Sequence, residues 1–147
     1  MAKVYSKEFN FFPKSWLLPH DYNEVKEYLT NNRKSTIILK PAGNCQGRGI
    51  YLVNKVSEIP VGEKYVVQEY IHKPFLIDNL KFDFRIYVII TGVNPLRIFI
   101  YEEGLARFAT EIYEEPNNEN IDDDYMHLTN YAINKRSENF VKNKDED

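Results

Sequence analysis

The sequence predicts an α+β fold built mostly on antiparallel strands. Three observations carry that expectation: one segment with helically spaced apolar residues, several short apolar runs of strand length, and two long alternating segments joined by a turn signal. The chain has 147 residues, 43% of them hydrophobic and 14% aromatic. That is enough apolar material for one ordinary domain and too much for a disordered chain.

The elements follow in order. "MAKVYSKEFNFFPKSW" opens a lead-in over residues 1–20, with Trp16 expected to cover one edge of the core. "PHDYNEVKEYLTNNRK" reads as a helix, with Asp21 as cap, Glu24 completing a capping box, and Val25, Tyr28 and Leu29 on one face. "STIILK" reads as a buried strand and "IYLVN" as its antiparallel return, joined by a loop that contains "GNCQGRG". "KYVVQEYI" is a third strand, stopped by Pro74.

"KFDFRIYVII" puts Phe82, Phe84, Ile86 and Val88 on one side and Lys81, Asp83, Arg85 and Tyr87 on the other. "GVNP" turns it into "LRIFIYEEG", so these two segments are expected to form a hairpin. "EEPNNENIDDD" is loop, "YMHLTNYAINK" regains structure, and residues 136–147 form a charged end expected to fray.

Charge and cysteine content exclude several classes. A formal net charge of -3 and a pI near 5.7 favour neither nucleic acid nor an anionic membrane. Cys45 is the sole cysteine, so no internal disulfide and no multi-cysteine zinc site can form. No run approaches the roughly 18 apolar residues of a membrane span, and the N-terminus lacks a signal-peptide core. A cytoplasmic protein, expected to be a monomer, fits these limits.

Two stretches are candidates for chemistry. In the loop after Lys40, Gly43, Gly47 and Gly49 either permit positive φ in a long hairpin loop or let backbone N–H groups approach phosphate, with Lys40 and Arg48 supplying charge. It is neither a Walker loop nor a Rossmann fingerprint. The polar row Lys81, Asp83, Arg85, Tyr87 either faces solvent or lines a cleft for a polyanion. Both readings stay open. Asp122, Asp123 and Asp124 are expected to be solvated, Glu102 and Glu103 exposed, and His127 packed.

Four stretches, "ILKPAGNCQGRGIYL", "VVQEYIHKPFLIDNLKFDFRIYV", "PLRIFIYEEGLARFAT" and "MHLTNYAINKRSENF", together resemble the tubulin tyrosine ligase-like family of ATP-grasp ligases, nearest its polyglutamylase branch. The resemblance covers most of the chain from Thr36 to Phe140. It implies a single, partial ATP-grasp domain over residues 1–147 and an ATP-dependent ligase that adds glutamate to side-chain carboxylates in the acidic tails of tubulin, through an acyl phosphate. A cytoskeletal location follows, the cilium or basal body included, with tubulin and free L-glutamate as partners.

The resemblance also implies roles. Lys40 would touch ATP phosphates beneath a lid of Gln46, Gly47, Arg48 and Gly49. Gln68, Glu69, Tyr70 and Ile71 would form the adenine hinge, Lys81 and Asp83 would contact the nucleotide, and Thr129 and Asn130 would lie near ribose and phosphates. Arg107, helped by Tyr131, would hold the incoming amino acid, Gln46 would bear on the choice between bare and already branched acceptor tails, and Arg85 would steady the phosphorylated acceptor, making Arg85 and Arg107 the catalytic pair. The family completes its Mg2+ site around a motif like "EVN", which does not occur here. The metal ligands are therefore expected outside this chain, and the 147 residues alone are expected to be inactive. A non-catalytic nucleotide- or microtubule-binding remnant of the same fold is the alternative.

Overall fold

A computed structural model describes residues 5, 7–45 and 47–142. They fall into two compact units. The first runs to Pro74 and includes Glu114–Asp124; the second comprises Phe75–Tyr113 and the chain from Tyr125 onward. Both sheets are antiparallel and helices are few, so the α+β expectation holds.

The first unit is a four-stranded sheet in the order β1-β4-β2-β3, formed by β1 (Ser15–Leu18), β2 (Ile37–Pro41), β3 (Tyr51–Val53) and β4 (Tyr65–Glu69). Helix α1 (Tyr22–Asn31) lays Val25 and Leu29 onto it. The core they share with Trp16, Leu18, Ile37, Leu39, Val53, Ile59 and Val67 gives the unit its stability. Trp16 packs against Tyr28 with the rings tilted by 50° and their centroids 4.9 Å apart, at the β1 edge as expected.

Two expectations fail here. The lead-in contains β1, a strand that the sequence pattern hid because Ser15–Leu18 is four residues long with Leu17 exposed opposite Trp16 and Leu18. The capping box also fails. Asp21 makes no side-chain cap bond; its carboxylate accepts from Leu17 N at 2.8 Å and meets His20 Nδ1 at 2.7 Å. Those contacts turn it back toward β1 and away from the first turn of α1.

The second unit is a three-stranded sheet of β5 (Leu76–Ile77), β6 (Leu80–Val93) and β7 (Leu96–Ile112) in that order. The expected hairpin at "GVNP" is present and longer than alternation alone indicates. A short second hairpin turns at Asp78 and Asn79, both with positive φ (51° and 62°), the conformation that Asp and Asn tolerate in two-residue turns. Helix α2 (Asp124–His127) and helix α3 (Tyr131–Asn134) follow the acidic loop. Among the described residues no helix is long and apolar enough to cross a membrane.

Candidate functional site

In the second unit the polar row of β6 is not a plain solvated face. Asp83 lies directly opposite Arg107 in the β6–β7 ladder. Arg107 donates through Nε to Asp83 Oδ1 and through Nη2 to Oδ2, both at 2.7 Å, and Thr129 Oγ1 donates to Oδ2 at 2.8 Å. The bidentate bond raises the Arg107 pKa further, against a smaller opposing effect of burial. Lys81 Nζ donates to the His127 carbonyl at 2.8 Å, joining the start of β6 to the segment that carries Thr129.

Strand irregularities create the pairing. Near the turn, Val93 faces Leu96 and Gly92 faces Arg97. Continued without interruption, that register would set Asp83 opposite Ala106 and throw Arg107 to the other face. Shifts between Ile90 and Gly92 and between Ile86 and Val88 leave a net slip of one residue, which aims Arg107 at Asp83. Gly104 permits the close strand approach beside it, since a Cβ there would sit 2.7 Å from the Arg85 carbonyl oxygen.

Asn134 ties the following segment down. It is 1% exposed, its Nδ2 donates to Leu128 O at 2.7 Å and Asn130 O at 3.2 Å, and Thr110 Oγ1 donates to its Oδ1 at 3.0 Å. The turn that carries Thr129 is thereby fastened to β7. Next to this network lies a cavity of about 810 Å³, lined among others by Arg85, Tyr87, Arg107, Thr129, Tyr131 and Asn139. Two guanidinium groups, a buried hydroxyl and two phenols around one cavity can orient an anionic, hydrogen-bonding ligand. Tyr131 is half exposed, with Phe140 edge-on at 5.8 Å and Lys135 Nζ 5.6 Å above its ring.

In the first unit Lys40 sits on β2 with its Nζ donating to Gln68 Oε1 at 2.9 Å, while Gln68 Nε2 donates to Ser15 Oγ at 2.9 Å. Burial lowers the Lys40 pKa, so its charge is disfavoured until an anion compensates it. That suits a phosphate ligand. Gly47 and Gly49 do take positive φ (80° and 69°), whereas Gly43 does not, which corrects the expectation for Gly43. Arg48 is exposed, and Gln46 lies outside the described residues.

At the expected hinge the backbone is partly engaged. Glu69 N donates to Lys14 O at 2.8 Å and Tyr70 N to Thr36 O at 2.9 Å, while the Glu69 carboxylate accepts from Tyr28 Oη at 2.7 Å. Gln68 lies in the interior strand β4 with a ladder partner on either side, so an adenine would have to meet the backbone past it, around Ile71. Asn130 caps α3 through its backbone only.

The structure therefore brings Arg85, Arg107, Thr129 and Tyr131 to one cavity and Lys40 to Gln68. Sequence reading missed Gln68 as the side-chain partner of Lys40, and Asn134 and Thr110 as the clamp behind Thr129. Asn134 stands in "NYAINK", where an asparagine four positions after another was the one available signal. His127 is fully buried and edge-on to Tyr113, as expected of a packed histidine. Glu102 and Glu103 are exposed, also as expected.

The Tubulin-tyrosine ligase family model matches residues 1–147. Tubulin polyglutamylase TTLL13 of Mus musculus is 55% identical over 142 residues, covering 97% of this chain and 18% of that protein. Tubulin polyglutamylase TTLL6 of Mus musculus is 51% identical over 142 residues, 97% of this chain and 17% of that protein. A probable beta-tubulin polyglutamylase of Tetrahymena thermophila is 51% identical over 149 residues, 100% of this chain and 12% of its own length. The chain thus spans less than a fifth of each of these relatives.

Proposed function

Because the chain belongs to the tubulin-tyrosine ligase family, we propose that it carries nucleotide- and amino-acid-binding residues of an ATP-dependent ligase of the ATP-grasp type, which joins glutamate to side-chain carboxylates of tubulin tails. The observation that carries this reading is the Arg107 guanidinium, held bidentate by Asp83 at the cavity that Arg85 and Tyr131 also line. A free amino acid presents a carboxylate, and a fixed guanidinium is its natural receptor.

In this reading a carboxylate, a poor electrophile, takes the γ-phosphoryl group of ATP to become an acyl phosphate. The amine of glutamate attacks the acyl carbon, phosphate leaves with the bonding pair, and an amide bond remains. Lys40 would neutralise phosphate oxygens, the loop carrying Gly47, Arg48 and Gly49 would cover them, and the hinge from Gln68 to Ile71 would take the base. Lys81, Thr129 and Asn130 would lie toward the nucleotide, and Arg85 toward the phosphorylated acceptor. The chemistry is mainly positioning and charge compensation, which these residue types supply.

Among the described residues no group of three or more His, Cys, Asp or Glu could hold a metal ion, so the reading assigns no step to Mg2+. A tubulin substrate would place the protein at the cytoskeleton, cilium and basal body included; the relatives named as tubulin polyglutamylases support that substrate.

The test is ATP-dependent incorporation of labelled glutamate into tubulin by the full-length protein, with glycine and tyrosine as controls. Lys40→Ala should weaken ATP binding by about 1.5–3 kcal/mol, the worth of a charge-assisted contact. Equal incorporation of the control amino acids, or unaltered ATP affinity in Lys40→Ala, would refute the assignment.

A further inference from the structure

We propose that Ser15, on the edge strand β1, is a positioning residue that sets the orientation of the Gln68 amide and, through it, the ammonium group of Lys40. The inference rests on the reading of Lys40 as a contact of the ATP phosphates, and extends it to a strand outside the glycine loop and the hinge.

The three side chains share the sheet face turned away from α1. Trp16, Val67 and Leu39 pack into the core with Val25 and Leu29, so their neighbours Ser15, Gln68 and Lys40 point the other way. Ser15 stands directly opposite Gln68 in the β1–β4 ladder, while Lys40 stands opposite Val66 and is therefore diagonal to Gln68. Strand β4 runs between the strands that carry Ser15 and Lys40, and the Gln68 amide spans that gap.

Both ends of this chain of hydrogen bonds have a fixed direction. The Pro13 carbonyl can only accept, so the single hydroxyl hydrogen of Ser15 goes to it, at 3.0 Å. The Ser15 oxygen is left as an acceptor, and Gln68 presents Nε2 to it at 2.9 Å. At the other end a protonated Lys40 can only donate, and it meets Oε1 at 2.9 Å. An amide turned end for end would set N–H against the ammonium and a carbonyl oxygen against a serine lone pair, two repulsions in place of two bonds. Oε1 keeps a second lone pair, and the ammonium keeps two hydrogens that can meet a phosphate. Burial lowers the Lys40 pKa, and among the described residues no ion pair joins it. The oriented acceptor beside it therefore helps to hold its charge.

The test measures steady-state kinetics of Ser15→Ala, Ser15→Thr, Lys40→Ala and the Ser15→Ala/Lys40→Ala double variant in the full-length protein. Measurements are made at about pH 7 and about pH 9, both below the ordinary lysine range. Ser15→Ala should raise the KM for ATP about threefold to tenfold, the worth of one hydrogen bond, and leave the KM for glutamate within about twofold. The gap from the parent should widen at the higher pH, because a lysine deprived of its acceptor gives up its proton sooner. Ser15→Thr keeps the hydroxyl and should behave as the parent. The double variant should be no worse than Lys40→Ala alone, since Ser15 acts through Lys40. An unchanged KM for ATP in Ser15→Ala, a gap that stays constant with pH, a threonine variant as impaired as alanine, or additive losses in the double variant would each overturn the proposal. Equal increases in both KM values would mark a general loss of structure and overturn it too.

If the unaltered protein binds no ATP, the functional reading fails and the inference is read by NMR instead. The Lys40 side-chain resonance, identified by its loss in Lys40→Ala, should titrate at lower pH in Ser15→Ala than in the parent, and unchanged in Ser15→Thr. An alanine variant in which Lys40 titrates as in the parent would overturn the assignment.

Discussion

Replacing Asn134 by alanine should cost about 2–4 kcal/mol, most of it from a single orphaned carbonyl. Leu128 is 4% exposed and its carbonyl accepts from Asn134 Nδ2 at 2.7 Å, so its loss leaves a buried acceptor without that partner. An unmet buried group of this kind costs about 1–3 kcal/mol. The Thr110 hydroxyl adds about 0.5–1.5 kcal/mol, since it sits at a half-buried site where water can substitute. Asn130 O adds little, because it keeps the backbone N–H groups of Ile133 and Asn134. The discriminating variant is Asn134→Asp. It matches the volume of the amide, yet places an oxygen where Nδ2 faced Leu128 O. It should therefore destabilise more than alanine at pH 7, and recover part of the loss on acidification as the new carboxyl protonates and donates. Urea unfolding midpoints and amide hydrogen exchange over residues 128–134 measure both effects. An aspartate variant milder than alanine at neutral pH would show that Asn134 merely fills space, and would refute the hydrogen-bond reasoning.

Two other perturbations test separate parts of the fold. Gly104→Ala brings a Cβ to 2.7 Å from the Arg85 backbone oxygen, a contact no rotamer relieves, and should destabilise by about 1–3 kcal/mol in urea unfolding. The same variant should displace Arg85 and lower turnover more than it raises either KM. Asp124 has its pKa raised above 3.8 by desolvation first and by Asp123 and Asp122 next. The folded state then holds that proton more tightly than the unfolded state, so this group's contribution is fully present at low pH and declines as pH rises through the raised value. Asp124→Asn should accordingly raise Tm at pH 7, by an amount that shrinks toward about pH 4, where aspartate ordinarily titrates. A gain independent of pH would refute it.

What could be read from the sequence was what local periodicity encodes. Val25, Tyr28 and Leu29 fix the inner face of α1, and "GVNP" fixes the turn between β6 and β7. The polar row of Lys81, Asp83, Arg85 and Tyr87 was visible as alternation, but its ligand could not be. Partnership of Asp83 with Arg107 spans 24 residues and depends on strand irregularities that no pattern of apolar and polar letters reveals. Strand β1 was invisible because four residues carry too little period, and pairing with β4 decided its state. Asp21 misled because a good cap residue was recruited by Leu17 and His20 instead. Motif resemblance supplied Arg85, Arg107, Thr129 and Tyr131, which the structure gathers at one cavity; it did not supply Gln68 as the partner of Lys40 or Asn134 as a clamp, since both are ordinary polar residues whose importance lies in what they touch.

The β6–β7 hairpin carries a further consequence, for association in solution. Toward its turn the cross-strand pairs are Val88 with Ile100, Ile89 with Phe99 and Ile90 with Ile98, and all six side chains are more than half exposed. Successive residues point to opposite faces, so neither face of the hairpin is shielded by polar groups. Burying a single large apolar side chain is worth about 1.5–3 kcal/mol, and patches of this kind on a lone chain promote association. The isolated 147-residue chain should thus bind a hydrophobic dye strongly and grow in apparent mass with concentration in sedimentation. Ile89→Lys with Phe99→Glu places a charge pair on one face, and should reduce both signals while leaving Val88, Ile90, Ile98 and Ile100 to hold the other. Charges at the tip should leave ligand binding at the Arg107 cavity intact, because none of these six residues lines it. If the double variant stays as prone to associate as the parent chain, the hairpin is not the adhesive surface, and the reasoning from exposed area fails.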